Sequence, residues 1–213
     1  MAGRRRESNR EELKMRIVDT AAQAFKRLGI KAVHMDDIAG ALSISKRTLY
    51  ELFGDKEQLL LEVFSFYRQR VNQDMQELTS RADNVLEVVL TFYERKVNEL
   101  CQVNPLFFRD LRKYPKVLDF IHEEQRRNDA DAVKYFQKGV KQGIFRDDIN
   151  FLIINQTMAM QMDLLIYSDI TLHYPLAEIY SEITILHMRG ITTEKGNRMV
   201  DEFLKNIRKK GQG

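Results

Sequence analysis

The sequence predicts an all-α protein, and three features support that fold class. Glycine and proline are scarce, at 10 and 3 of 213 residues, which leaves few helix breakers. Leu, Met, Ala, Glu, Lys, Arg and Gln dominate, and these residues lose little conformational entropy in a helix. Apolar residues also recur three and four positions apart, the spacing of one helix face. Since 44% of the residues are apolar, the chain can bury a sizeable core.

The N-terminal quarter of the chain is expected to form three helices. The first begins at Ser8 or Asn9, where two overlapping capping-box patterns provide partners for the free amides of a helix start, and it ends at Gly29. Two short helices follow over 35–42 and 45–53.

A longer helix is expected from the Asp55 cap to about Thr79, and no Gly/Ser-rich segment separates it from the preceding helices. It is therefore a rigid connector. The rest of the chain is divided by prolines and a glycine into helices at roughly 83–102, 104–113, 116–142, 149–169, 176–190 and 195–209. The sequence thus predicts two domains, 1–56 and 57–213.

Positive charge is concentrated in the N-terminal domain. Residues 1–56 contain 12 Lys and Arg against 8 Asp and Glu, whereas the whole chain has a net charge of only +3. The rest of the chain is therefore close to neutral. A positive domain joined to a neutral body favours contact between the first part and a polyanion, although basic surfaces are also common on other proteins.

Several functional classes lack support in the sequence. The single Cys101 has no partner for a disulfide or metal site, which fits a reducing, cytoplasmic location. No signal peptide or membrane span is expected, because the most apolar window, 151–167, is interrupted by Asn, Gln and Asp. The four histidines form no zinc motif, and nucleophile, Walker and dinucleotide motifs are absent. We therefore expect no enzyme activity, no cofactor and no bound metal.

Residues 37–64, DIAGALSISKRTLYELFGDKEQLLLEVF, have the pattern of a helix-turn-helix, whose second helix enters the major groove of DNA. Hydroxyl and ammonium groups hold phosphates, whereas an arginine fork binds the O6 and N7 of guanine. The alternative for any such segment is a solvated helix face without a partner. The outward face of the second helix carries Ser45, Lys46, Arg47, Thr48 and Tyr50.

With its flanks, the segment HMDDIAGALSISKRTLYELFGDKEQLL resembles the DNA-binding unit of the tetracycline-repressor-like (TetR) family of bacterial transcriptional regulators. The matching residues are Met35, Ile38, Ala39, Ser45, Thr48, Leu49, Tyr50, Phe53, Asp55, Lys56, Glu57 and Leu59. The departures are His34, Ser43 and Leu52. Because Ser43 replaces the usual turn glycine, we expect either a turn that needs no positive φ or a mildly strained one.

The resemblance implies that Thr48 and Tyr50 contact the DNA backbone and that Lys56 binds a phosphate. Lys46 and Arg47 are then expected to face the groove, with Arg47 reading a base. A basic N-terminal arm either lies in a flanking minor groove or stays a disordered, solvated tail. The DNA-binding set is completed by Ser45, Met35, Arg4, Arg5 and Arg6.

The C-terminal body is expected to form a homodimer. Residues 151–167 are apolar on nearly every face, which a helix tolerates only where it is surrounded. TetR-family members typically pack their last two major helices into a four-helix bundle between subunits, and the resemblance implies the same here. The alternative is that both helices belong wholly to the core of one chain. The expected interface residues are Leu165, Leu176, Ile179, Tyr180, Ile183, Leu186 and His187.

The resemblance also implies a small-molecule pocket in the body. Methionine and aromatic side chains line adaptable apolar pockets, although at helical spacing they more often form a core. The candidate effector residues are Phe92, Phe108, Tyr114, Phe120, Tyr135, Met158 and Met162.

The expected function is a ligand-responsive transcriptional regulator. It is expected to act as a repressor that binds a pseudo-palindromic DNA operator as a dimer and is released by a small, mostly apolar molecule. A transcriptional activator or an architectural DNA-binding protein is the alternative.

Overall fold

The computed structural model describes residues 2–127 and 129–210, except the side chains of residues 2–6, 208 and 210. Over this part of the chain it contains eleven α-helices and no β-strand, so the predicted all-α fold class is confirmed. The helices are α1 (Ala2–Leu28), α2 (Met35–Ala41), α3 (Lys46–Phe53), α4 (Lys56–Arg81), α5 (Val85–Leu100), α6 (Leu106–Leu111), α7 (Pro115–Arg127), α8 (Asp129–Lys141), α9 (Phe151–Tyr167), α10 (Leu176–Ile191) and α11 (Glu194–Lys210). A 3-10 turn, Ile170–Leu172, lies between α9 and α10.

The chain divides into two compact units. The first consists of Met1–Asn72 and Gln102–His122, and the second of Gln73–Cys101 and Glu123–Gly213. The first unit extends beyond the 1–56 segment that the motif predicts, because α6 packs against α1. The division into a DNA-binding domain and an effector domain stays a prediction.

Apolar side chains from four helices form the core of the first unit. The buried positions on α1, α2, α3 and the start of α4 include Ile17, Ala21, Phe25, Ile38, Ala39, Leu49, Phe53, Leu59 and Leu60. Helix α1 ends as predicted at Gly29, whose φ of +85° suits glycine. It begins at Ala2, so the predicted start at Ser8 or Asn9 is wrong. Arginine and glutamate are good helix formers, and the helix continues through the capping pattern.

The turn between α2 and α3 is strained at Ser43. Its φ is +54°, in the left-handed region that costs an L-residue about 1–2 kcal/mol. The amides of Ser43 and Ile44 close the turn by donating to the carbonyls of Gly40 at 3.1 Å and Ala39 at 3.0 Å. Of the two alternatives for this position, the structure has the strained turn.

Replacing Ser43 with glycine is expected to raise the free energy of unfolding by about 0.5–1 kcal/mol. Glycine removes the steric cost at this φ, and the larger entropy of the unfolded glycine variant offsets part of the gain. Ser43→Val is expected to lower the free energy of unfolding by about 1–3 kcal/mol, because a β-branched side chain crowds a positive φ. Urea denaturation of the three proteins measures both changes. Equal stability of all three would contradict strain at this turn.

An aromatic cluster lies in the core of the second unit. The ring centroid of Phe136 lies 5.0 Å from that of Phe151 and 5.6 Å from that of Phe145. The centroids of Phe145 and Phe151 lie 6.2 Å apart. Gly139 makes room for this cluster, since a Cβ at that position would lie 2.2 Å from Phe145 Cδ2. Met188 of α10 packs against the same group. Within the described ranges, no helix combines the length and apolarity needed to cross a membrane.

Candidate DNA-binding site

Helix α3 is a short amphipathic helix whose start is fixed by a side-chain cap. Ser45 Oγ accepts a hydrogen bond from the Thr48 amide at 3.0 Å and lies 2.8 Å from Thr48 Oγ1. Leu49 and Phe53 bury one face of the helix in the first unit. Cap and buried face together hold the outward residues of α3 in a fixed register.

Two cations on the outward face of α3 are each paired with a carboxylate. Lys46 Nζ lies 2.5 Å from Asp36 Oδ2 on α2, and this hydrogen bond and the charge of Asp36 raise the pKa of Lys46. Arg47 Nε lies 2.7 Å from Glu51 Oε1, one turn further along α3. The Arg47 side chain is 87% exposed. Exposed ion pairs contribute little free energy, so its guanidinium can leave Glu51 for a ligand at small cost.

Tyr50 extends the same exposed face. Its side chain is 47% exposed, whereas Thr48 is half-buried beside its bond to Ser45. With Lys46 and Arg47, the structure therefore presents hydroxyl, ammonium and guanidinium groups on one short helix. Such a set can bind phosphates and the edge of a base.

Met35 and Lys56, two other residues predicted to contact DNA, are not exposed like the outward residues of α3. Met35 is only 6% exposed at the start of α2, so its side chain belongs to the core and is withdrawn from the surface. Lys56 is half-buried, and its ammonium group donates a hydrogen bond to the carbonyl of Val33. Desolvation by burial lowers the pKa of Lys56. The side chains of the predicted basic arm lie outside the described residues: Arg4, Arg5 and Arg6.

Comparison with known proteins identifies the family of this helix-turn-helix. Residues 17–63, which span α2, α3 and their flanks, match the model of the bacterial regulatory proteins of the tetR family. The helix-turn-helix of this chain is thus similar to that of the tetR family. The relatives and solved structures that this chain resembles are transcriptional regulators rather than enzymes.

Three relatives show how far the similarity extends. YhgD, an uncharacterised HTH-type transcriptional regulator of Bacillus subtilis strain 168, is 32% identical over 78 residues, which span only 37% of either chain. The HTH-type transcriptional repressor KstR2 of Mycolicibacterium smegmatis is 28% identical over 150 residues, or 67% of this chain and 70% of the repressor. A putative transcriptional regulator from Saccharomonospora viridis, solved in complex with choline, has a TM-score of 0.66 at 20% identity, over 86% of this chain and 100% of that one. This last likeness concerns the fold.

The effector residues predicted for this chain do not share one unit. The first unit holds three of them: Phe108, Tyr114 and Phe120. The second unit holds the other four: Phe92, Tyr135, Met158 and Met162. None of the seven lines either of the two cavities that are described, of about 530 and 200 Å³. Neither unit by itself therefore contains a pocket lined by all seven residues.

Three of these residues have structural contacts of their own. Phe108 is buried and packs edge-on against Phe107, with ring centroids 5.4 Å apart. The Tyr135 hydroxyl donates to the Val85 carbonyl at 3.2 Å, and burial raises the pKa of Tyr135. Met158 packs against the aromatic cluster of the second unit. These contacts give the three side chains places in the core.

A polar atom of α9 is buried in the second unit without a partner. Gln161 Nε2 has no hydrogen-bond acceptor among the described residues, and its Oε1 lies 3.5 Å from Thr184 Oγ1 on α10. Thr184 is itself only 3% exposed. An unsatisfied buried donor costs about 1–3 kcal/mol, so this position favours a bound group that accepts a hydrogen bond. The sequence signal was the interruption of the apolar window by Gln161.

Three residues predicted at the dimer interface belong to the core of the chain itself. Leu165, Leu176 and Ile179 are 5%, 3% and 5% exposed, so they offer no surface to a partner. Their assignment to an interface stays a prediction that this burial does not support, because an apolar stripe shows that a face is covered but not which chain covers it.

Three further predicted interface residues are half-buried on α10. Tyr180 stacks on Tyr93 with ring centroids 6.3 Å apart, and burial raises the pKa of Tyr180. His187 Nδ1 lies 2.8 Å from the carbonyl oxygen of Ile183, one turn earlier in the helix. Part of the surface of these residues is thus already used within the chain.

Both helices also carry apolar residues that are exposed. Leu186 of α10 is 72% exposed, and on α9 Ile153, Met160 and Tyr167 are 57%, 61% and 53% exposed. The three α9 residues are spaced by seven, which places them on one helix face. We call these four residues the α9–α10 apolar surface. Sequence reasoning missed its α9 part because that helix is apolar on nearly all sides.

Proposed function

We propose that this chain is a TetR-family repressor that binds duplex DNA through the outward face of α3. The observation that carries the proposal is the capped helix with Lys46, Arg47 and Tyr50 exposed on it. In this assignment Lys46 and Tyr50 contact phosphates, and Arg47 reads a guanine. Activation of transcription and architectural binding are the alternatives, which a reporter assay with and without the gene separates.

We propose further that the chain binds DNA as a homodimer in the cytoplasm. The α9–α10 apolar surface supports this step, since exposed apolar patches on a folded chain mark interaction sites. A two-fold dimer carries two copies of α3, so the operator is pseudo-palindromic, with half-sites about one helical turn or a multiple apart.

The proposed effector is a small, mostly apolar molecule that accepts a hydrogen bond. Gln161 Nε2 supports this chemistry, because it is a buried donor without a hydrogen-bond partner among the described residues. A carbonyl, ether or hydroxyl oxygen on an otherwise apolar ligand satisfies the donor and buries apolar area at the same time.

The experiment that tests DNA binding is selection of duplex fragments by the purified full-length protein, followed by footprinting of the recovered site. We expect a symmetric footprint over two half-sites. Protection of one asymmetric half-site by a monomer, or recovery of no preferred sequence, contradicts the proposal.

Binding of the effector is expected to weaken operator binding by about 5- to 150-fold, the usual range for coupled sites. The ligand favours a dimer whose two α3 helices do not match the half-site spacing, and linkage requires DNA to weaken the ligand by the same factor. Candidate compounds come from a thermal-shift screen that includes choline. Calorimetric titration into free protein and into the protein–DNA complex then compares the two affinities.

The matched control for the titration is Gln161→Leu, which keeps the volume but removes the donor. This variant is expected to lose ligand affinity while keeping operator affinity. Equal ligand affinity of the free and DNA-bound protein shows that the compound is not an inducer.

A further inference from the structure

The turn between α1 and α2, residues 29–34, is bonded to side chains from two distant helices. The Lys31 amide donates to Asp110 Oδ2 of α6 at 2.6 Å. Lys56, the first residue of α4, donates from its ammonium group to the carbonyl of Val33. Both contacts use backbone atoms of the turn, so they fix its position whatever side chains the turn carries.

Helix α6 lies directly against this turn. A Cβ at Gly29 would lie 3.0 Å from Leu106 Cβ and 3.3 Å from Asp110 Oδ2. Asp110 is 8% exposed, and a buried carboxylate is tolerated only where hydrogen bonds and charges compensate for lost water. The Lys31 amide supplies such a bond. The Asp110 carboxylate therefore binds the turn rather than solvent or a ligand.

Lys56 completes the arrangement from the other side. Its Nζ lies 5.8 Å from the centroid of the Phe25 ring, within the range of a cation–π contact. Burial lowers the pKa of Lys56, and the nearby carboxylates of Asp110 and Asp37 act in the opposite direction. The ammonium group thus contacts a carbonyl and a ring inside the first unit.

The contrast with Lys46 shows what a phosphate-binding lysine looks like in this chain. The Lys46 side chain is 67% exposed and pairs with one surface carboxylate that DNA can replace. Lys56 is bound to the backbone of the turn that leads directly into α2, which begins at Met35 and packs against α3. Its contact acts on the position of the helix-turn-helix.

We propose that Asp110 and Lys56 are positioning residues for DNA binding, which hold the α1–α2 turn from both sides and thereby fix α2 and α3. Lys56 acts through the turn, not by gripping a phosphate. The inference rests on the proposed function, since its effect is measured as operator binding. The contacts that hold the turn are measured separately, in the free protein.

The salt dependence of binding separates the two roles of a lysine. Each phosphate contact contributes about 0.9 to the slope of log affinity against log salt. Lys46→Met is therefore expected to lower the slope by about two, one phosphate from each subunit of the dimer. Lys56→Met is expected to leave the slope unchanged and to weaken operator binding by about 5- to 150-fold at every salt concentration. A slope lowered to the same extent in both variants overturns the role proposed for Lys56.

Asp110 is tested with graded substitutions. Asp110→Ala removes the acceptor, whereas Asp110→Asn keeps a weaker one, so we expect Asp110→Asn to retain more operator affinity. Asp119→Asn, an exposed acid on α7, is the control and is expected to change nothing. Circular dichroism and thermal melting confirm that each variant is folded before binding is measured. If Asp110→Ala unfolds, the test uses the operator affinity of Asp110→Asn alone.

Two further readouts respond to positioning specifically. In the free protein, hydrogen exchange of the Lys31 amide is expected to speed up in the Asp110 variants and to stay unchanged in Asp119→Asn. Combining Asp110→Asn with Lys56→Met is expected to cost less than the product of the two separate losses, because both act on one turn. Unchanged Lys31 exchange, or independent losses, overturns the proposal. Failure of the wild-type protein to bind any duplex instead contradicts the proposed function, while the exchange measurement still tests the contacts.

Discussion

Replacing Leu186 with aspartate is expected to make the protein monomeric and to lower operator affinity by about a thousandfold or more, toward non-specific binding. Leu186 is 72% exposed on α10. In a dimer interface, the carboxylate introduced by Leu186→Asp would lie unpaired against apolar side chains of the partner. A monomer has one copy of α3, so it loses half of the base contacts of the operator. Met160→Asp, on the exposed face of α9, is expected to act in the same direction.

The control for this prediction is Leu28→Asp, because Leu28 is also an exposed leucine, at 45%, but lies at the end of α1 in the first unit. We expect it to leave the oligomeric state unchanged. Sedimentation velocity gives the oligomeric state, and fluorescence anisotropy with the selected operator gives the affinity. If Leu186→Asp and Met160→Asp both remain dimers, the α9–α10 apolar surface is not the interface.

Features encoded by neighbouring residues could be predicted from the sequence. The Asp55 cap is one, since Asp55 Oδ1 accepts from the Gln58 amide at 2.8 Å, three residues away. The end of α1 at Gly29 is another, since Gly29 has a φ of +85°. Caps and apolar periodicity depend on side chains within one or two helical turns, so a single sequence contains all the information that they need.

Features that depend on distant residues could not be predicted. The resemblance predicts a phosphate contact for Lys56, whereas in the structure its ammonium group donates to the carbonyl of Val33, 23 positions away. The acceptor for the Lys31 amide is 79 positions away, on α6. No periodic pattern links such residues. Only the packing of α4 and α6 around the α1–α2 turn brings their polar atoms together.

The outward face of α9 was unpredictable for a different reason. Periodicity locates a buried side by contrast with polar residues, and α9 offers little contrast because its apolar residues occur all round. Leu165 and Ile153 are equally apolar, but the first is 5% exposed and the second 57%. Which of them is covered depends on where α8 and α10 lie.

Arg47→Ala is expected to cost about 2–6 kcal/mol of operator binding and to abolish base preference at one position in each half-site. One bidentate arginine–guanine contact discriminates by about 1–3 kcal/mol, and a dimer makes it twice. The Arg47 guanidinium is free to make this contact, since its present partner Glu51 is exposed and lies on the same helix. Arg47→Lys is expected to recover phosphate attraction but little of the base preference, because an ammonium group lacks the planar fork.

The measurement is repeated selection of DNA fragments with wild type, Arg47→Ala and Lys46→Ala. Loss of the phosphate contact of Lys46 weakens all sequences alike and keeps the recovered operator the same. Loss of Arg47 should instead return a site in which one symmetry-related pair of positions accepts any base. If both variants recover the wild-type operator with uniformly weaker binding, Arg47 does not read a base, and the specificity of α3 must come from its other exposed residues or from DNA shape.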